Sequence, residues 1–187
     1  MAVMSVEICN LALTFLGADR IMDPSEDTEN ARRLRAIYTP ALKDLLRAHP
    51  WNFSSRRASL AKLAETPPFG FAFYYQLPSD CLRAVLVNDS PEINFVVEGR
   101  KLLCDEGSIN LKYIAYVEDP TQYDPNFVNL LAVRLAAEIS LPITHSRTVS
   151  KDRWDIYFAM TKIARSSDAQ EGRPQRTETH SWIRRRS

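Results

Sequence analysis

The spacing of apolar positions is helical at both ends of this chain and strand-like in between. Across residues 25–63, Ala31, Leu34, Tyr38, Leu42, Leu45 and Ala48 recur at intervals of three and four, while Arg32, Arg33, Arg35, Lys43 and Arg47 fall largely elsewhere. This predicts an amphipathic helix with a basic back. Asp23-Pro24-Ser25-Glu26 supplies a cap, a first-turn proline and a glutamate able to reach back, so the helix is expected to start at Pro24 or Ser25. Pro40 removes one backbone hydrogen bond inside the pattern and predicts a bend. His49-Pro50 predicts the stop, and Trp51 and Phe53 beyond it join Tyr38 as core anchors.

A first helix is expected over residues 6–16, capped by Ser5 and ended by Gly17. Residues 54–64 read as a strand or extended arm, and Thr66-Pro67-Pro68 breaks whatever precedes it. From Phe69 to Val117 the pattern is strand-like, with an aromatic cluster at Phe69, Phe71, Phe73, Tyr74 and Tyr75 that reads as core. Strands are expected over 82–88, 92–98, 101–104 and 109–117, with Glu98-Gly99-Arg100 as a hairpin connection. Asp124-Pro125 opens a third helix running to Leu141-Pro142, and a fourth spans 148–170 with Val149, Trp154, Tyr157, Met160 and Ile163 on its apolar side. The expected fold is α+β: a four-helix bundle-like core over residues 1–171, with an antiparallel β-sheet or small sandwich inserted at about 69–118, and an extended C-terminal tail over 172–187.

Length suits one compact domain, since 187 residues bury a sizeable core. No window approaches the unbroken apolar run of a bilayer span, the N-terminus lacks the layout of a signal peptide, and synthesis in the cytoplasm is expected. Cys9, Cys81 and Cys104 are far apart and odd in number, which fits reduced core thiols. The net charge of +1 hides a block pattern: residues 1–30 carry six acids against one base, and residues 31–63 eight bases against one acid. Residues 64–120 are acidic again, 121–171 balance, and 172–187 carry five arginines against one glutamate. Such blocks pair either within one fold or between neighbours in an assembly.

Catalytic constellations are missing their parts. None of the five glycines makes a nucleophile elbow or a phosphate-cradling loop. Cys9, His49, Cys81 and Cys104 lack the spacing of zinc ligands. His49 at a helix end is explained by the free carbonyls there. Neither a cofactor nor a metal is expected, and no paired carboxylates are singled out. Arg184-Arg185-Arg186 with Trp182 has the look of a nucleic-acid contact, against which the near-neutral total argues.

Several segments, in this order and spacing, carry a resemblance. They are ICNLALTFLGADRI at the start, Glu29-Asn30-Ala31, Tyr38 with Pro40, Leu46-Arg47-Ala48-His49-Pro50-Trp51-Asn52-Phe53 and Arg56-Arg57-Ala58-Ser59-Leu60-Ala61. Then come Tyr75-Gln76-Leu77-Pro78-Ser79-Asp80-Cys81-Leu82-Arg83, Pro125-Asn126-Phe127 and Ser167-Asp168-Ala169. The set resembles the head-to-tail adaptor family of tailed bacteriophages, also called tail tubular protein A or head-completion protein, and covers the chain to about Gln170.

The resemblance implies a non-catalytic virion protein whose copies, twelve to match the portal, close into a ring. The ring would dock on the portal protein on one face and on tail nozzle or tail proteins on the other. Genome DNA would pass through its channel without specific binding, and no membrane would be involved. Ring closure needs two different patches per subunit, for which the acidic N-terminal segment and the basic second helix, with Arg32, Arg33 and Arg35, are candidates. In the tail, Trp182 and Ile183 would anchor on the portal and Arg184, Arg185 and Arg186 would pair with its carboxylates. A DNA contact or a dispensable tail are the rival readings. Members of such a family can stay monomeric until the portal templates them. Two other classes stand against the adaptor: a small nucleic-acid-binding module, and an enzyme whose site is not visible in sequence.

Overall fold

A computed structural model describes residues 4–171. The fold is α+β, with four helices and two small antiparallel sheets. Helix α1 (Val6–Thr14) is capped by Ser5, whose hydroxyl accepts from the Ile8 amide, and Gly17 takes the left-handed conformation past its end at φ 65°. Helix α2 (Glu29–Ala48) continues through Pro40. His49 is extended ahead of Pro50 and ends it, as X-Pro sterics require.

The start of α2 differs from the sequence expectation. Asp23, Ser25 and Glu26 do make the anticipated local bonds: Asp23 Oδ1 accepts from the Ser25 amide at 2.7 Å, and Glu26 Oε1 accepts from the amides of Met22 and Asp23. They close a free-standing turn instead of a helix. The cap is Thr28, whose Oγ1 accepts from the Ala31 amide at 3.3 Å. Short polar side chains bond neighbouring amides equally well in turns and at helix starts, which explains the mistaken boundary.

Helix α3 (Pro125–Thr144) begins as expected on Asp124 and Pro125, but runs past Pro142 to a left-handed His145 at φ 52°. Proline deletes one bond near the end, and the guanidinium of Arg33 caps the Pro142 carbonyl at 3.2 Å. Helix α4 is Arg147–Glu171. Packing of α1, α2 and α4 around α3 buries Phe127, Leu130, Leu131, Leu135, Ala136 and Ile139. By length and composition α3 could cross a bilayer, with a mean hydropathy of 1.5 over its best window, which corrects the expectation that no stretch approaches that limit. Its apolar character is spent on contacts with the three other helices.

Strand β1 (Ser55–Leu60) pairs with β6 (Ile109–Ala115), and β6 with β3 (Cys81–Val87), giving one sheet in the order β1-β6-β3. The other has the order β2-β5-β4, from Phe73–Gln76, Lys101–Cys104 and Phe95–Glu98. Tyr75, Leu102 and Cys104 from one sheet and Val87, Leu111 and Tyr113 from the other share a core, so the insertion is a small sandwich. It begins at Ser55, not near residue 69, because β1 supplies an edge of the first sheet.

The anchors Tyr38 and Trp51 are each 1% exposed, and Phe53 packs against the same helical core. Burial pushes the Tyr38 hydroxyl up to about 12, with the Ser5 backbone pulling weakly the other way. Burial also raises Tyr123, whose hydroxyl donates to the Val117 carbonyl at 3.0 Å. Between pH 10 and 12 the unfolded tyrosines ionise while these stay protonated, so stability present below pH 10 is lost as pH rises. Denaturant titrations at pH 9 and 11 should show a falling midpoint, and Tyr38→Phe should shrink the fall. Because the Tyr38 hydroxyl makes no hydrogen bond of good geometry among the described residues, that variant should be neutral or slightly stabilising at pH 7.

Candidate functional site

Two surface features at opposite ends of α2 and one flank of α4 distinguish this molecule from a plain helical core. The first is the loop between α1 and α2. Ile21 is buried, and the Asn10 side chain holds its amide and carbonyl at 2.9 Å each, while the Asn30 side chain donates to the Asp19 carbonyl. So pinned, the loop presents Asp19, Asp23 and Asp27 to solvent around Met22, whose side chain is 87% exposed.

Of the predicted inter-subunit arginines, Arg32 and Arg35 lie against this loop in their own chain and Arg33 pairs within α2. Arg32 pairs with Asp27 at 2.7 Å and Glu29 at 3.3 Å, Arg33 with Glu29 at 2.8 Å, and Arg35 donates to the Glu26 carbonyl. The acidic N-terminal block and the basic start of α2 thus pair within one subunit. These are exposed pairs that exchange partners at little cost.

At the other end of α2, Arg47, Arg83 and Arg100 meet in a cleft of about 450 Å³ walled by Leu77, Leu82 and Val97. Each arrives by its own device. Arg47 sits in the last turn of α2 and donates to the Leu82 carbonyl. Arg83 follows a register shift between Cys81 and Arg83, where an extra residue re-aims the strand. Arg100 is the second residue of the β4–β5 hairpin, where Gly99 takes φ 58°, and it donates to the Pro78 carbonyl. Among the described residues none of the three is ion-paired. The nearby Asp80 instead accepts from the Tyr113 hydroxyl at 3.2 Å. Cys81 lines the same cleft; burial raises its thiol, and Arg100 and Arg47 oppose the rise.

Sequence reading missed this trio because its members come from three separate segments, and only the fold brings them together. The third feature was half legible. Helix α4 turns Tyr157 and Ala164 inward, with Trp154 and Met160 packed beside them. Ile163, expected on that buried side, is 67% exposed, and Ile156 and Phe158 are exposed too. Ile163 lies about 120° around the helix from Tyr157 at 100° per residue, beyond the stripe that α3 covers.

His49 is accounted for structurally. Its Nε2 lies 2.9 Å from Asp168 Oδ2, while Asp168 Oδ1 accepts from the Asn52 amide and the Asp168 carbonyl from the Asn52 side chain. This cluster ties the end of α4 to the end of α2, and among the described residues no hydroxyl or thiol nucleophile hydrogen-bonds to the His49 ring. Among the described residues no group of three metal-ligating side chains converges. The expected portal-binding residues Trp182, Ile183, Arg184, Arg185 and Arg186 lie outside the described residues. Searched against known proteins, the chain matches no family model and no curated protein.

Proposed function

We propose that this chain is a structural adaptor whose copies close into a twelve-membered ring between the portal and the tail proteins of a tailed bacteriophage, around an open DNA channel. The observation that carries an assembly role is the exposed apolar flank of α4. Only Tyr157, Ala164 and Asp168 of its 25 residues are buried, while Ile156 and Ile163, about 20° apart around the helix, stand together in solvent on one flank and Phe158 stands in solvent on the other. Apolar side chains grouped on one element mark a surface that another chain covers. The assignment to a phage connector rests on the ordered resemblance of the sequence. It agrees with an α+β body of four helices carrying a β insertion.

Ile156→Asp with Ile163→Asp should leave the melting temperature within a few degrees, since both side chains are already exposed, yet abolish co-sedimentation with cognate portal rings. Undiminished co-sedimentation would remove α4 from the interface. A nucleic-acid-binding module is the second reading, and Arg47, Arg83 and Arg100, without ion pairs among the described residues, favour it. That reading requires affinity for naked DNA that falls steeply with salt. Leu82 and Val97 beside the arginines suit a protein side chain better than a duplex backbone.

A further inference from the structure

We propose that the acidic loop between α1 and α2 of one copy docks in the Arg47–Arg83–Arg100 cleft of the next copy. The inference rests on the ring reading and names the two unlike patches that such a ring needs. Three observations converge on it.

The charges match. Asp19, Asp23 and Asp27 are exposed on the loop, and three arginines without ion pairs among the described residues face the cleft. Guanidinium groups fork around carboxylates, and Arg47 and Arg100 are already oriented by the Leu82 and Pro78 carbonyls.

The apolar groups suit each other as well. Met22 stands 87% exposed on a loop fixed by Ile21 and Asn10, so little ordering entropy is lost when it docks. The cleft offers Leu77, Leu82 and Val97 as apolar walls beside its charges, and Val97 is itself exposed. A flexible thioether flanked by carboxylates is the complement of that lining.

The placement excludes the pairing within one chain. The loop precedes the first turn of α2 and Arg47 lies in its last, so 20 residues of helix separate them by about 30 Å. Unlike patches at opposite ends of a rigid rod join copies head to tail, and such a contact closes into a ring when its rotation permits. The loop cannot reach the arginines of its own subunit, whereas a second copy can bring it to them. The acidic block that faces Arg32 and Arg33 in its own subunit can therefore serve two partners, since Asp27 keeps most of its side chain in solvent.

Disulfide trapping on the full chain tests the pairing. Met22→Cys and Val97→Cys proteins, both carrying Cys81→Ser because Cys81 lines the same cleft, are mixed in equal amounts on cognate portal rings under a mild oxidant and resolved by mass. The pairing predicts mixed dimers, cross-linked between position 22 of one copy and position 97 of the other, several-fold above the random share. It also predicts loss of that excess when Arg83→Glu and Arg100→Glu are added to the Val97→Cys protein. Restoration by Asp23→Arg and Asp27→Arg on the Met22→Cys protein would complete the charge exchange. Random proportions, no mixed dimer, or an excess indifferent to charge reversal would overturn it. If portal rings still gather the chain while trapping stays random, the ring reading survives and this pairing falls; if the chain also ignores portal, both fall.

Discussion

Replacing Trp51 with alanine is expected to destabilise the fold by ~3–5 kcal/mol, the range for deleting a fully buried large aromatic side chain. Trp51 is 1% exposed and sits where three pieces of chain meet. Its ring meets Phe127 of α3 edge-on at 5.0 Å, stacks on Phe53 at 6.4 Å and takes His49 edge-on at 4.7 Å. Its indole N–H donates to the Leu45 carbonyl at 2.9 Å, occupying one of the four carbonyls that the end of α2 leaves free. Alanine leaves a cavity and an unpaired carbonyl together. Phenylalanine keeps most of the ring contacts and loses only the hydrogen bond, so Trp51→Phe should cost about 1–2 kcal/mol. Denaturant melts of the two variants separate the packing contribution from the cap. A loss below about 1 kcal/mol for alanine would show that Trp51 does not hold α2 on α3.

The second large effect is expected at Asp168. Its carboxylate is buried and holds His49 Nε2 and the Asn52 amide at 2.9 Å each. Asp168→Ala strands a largely buried histidine ring and the Asn52 amide, for which ~3 kcal/mol is the expected loss, or a melting temperature lower by roughly 6–12 °C. Asp168→Asn keeps an acceptor for the Asn52 amide and should lose about a third of that. Because this cluster is what fastens the last turns of α4, the alanine variant should also lose amide-exchange protection selectively around Tyr157–Asp168. Uniform loss of protection, with α4 no worse than α1, would place the contribution of Asp168 elsewhere.

These two residues show what sequence discloses and what it withholds. Trp51 was legible as an anchor, because a large apolar residue directly after a helix-stopping His49-Pro50 has one economical destination, the core beside that helix. Asp168 was not, because its partners His49 and Asn52 are more than 110 positions away and a lone acid near a helix end has no periodicity to betray it. The same contrast runs through the fold. Periodicity located all four helices, and Gly99 located the hairpin, since a positive φ at that turn favours glycine. The start of α2 was misplaced because Asp23, Ser25 and Glu26 satisfy the same amides in a turn as in a cap. Pro142 did not end α3 because in the last turn its missing N–H removes a single bond, and Arg33, distant in sequence, caps the carbonyl of Pro142 itself. Arg32, Arg33 and Arg35 were visible as a basic stripe, but the contacts of Arg32 with Asp27 and of Arg35 with the Glu26 carbonyl depend on which way the preceding loop turns. Arg47, Arg83 and Arg100 become a site only once a bulge and a hairpin tip are folded against the end of α2.

Assembly of this chain on a portal can be weighed by native mass spectrometry of the purified protein alone and after mixing with cognate portal rings. An adaptor should add to the portal a mass corresponding to a fixed number of copies, twelve by the proposed symmetry, whether or not the free chain is monomeric. Portal particles that gain no mass, accompanied by salt-sensitive binding of the chain to naked DNA, would contradict the adaptor and leave the nucleic-acid module in its place.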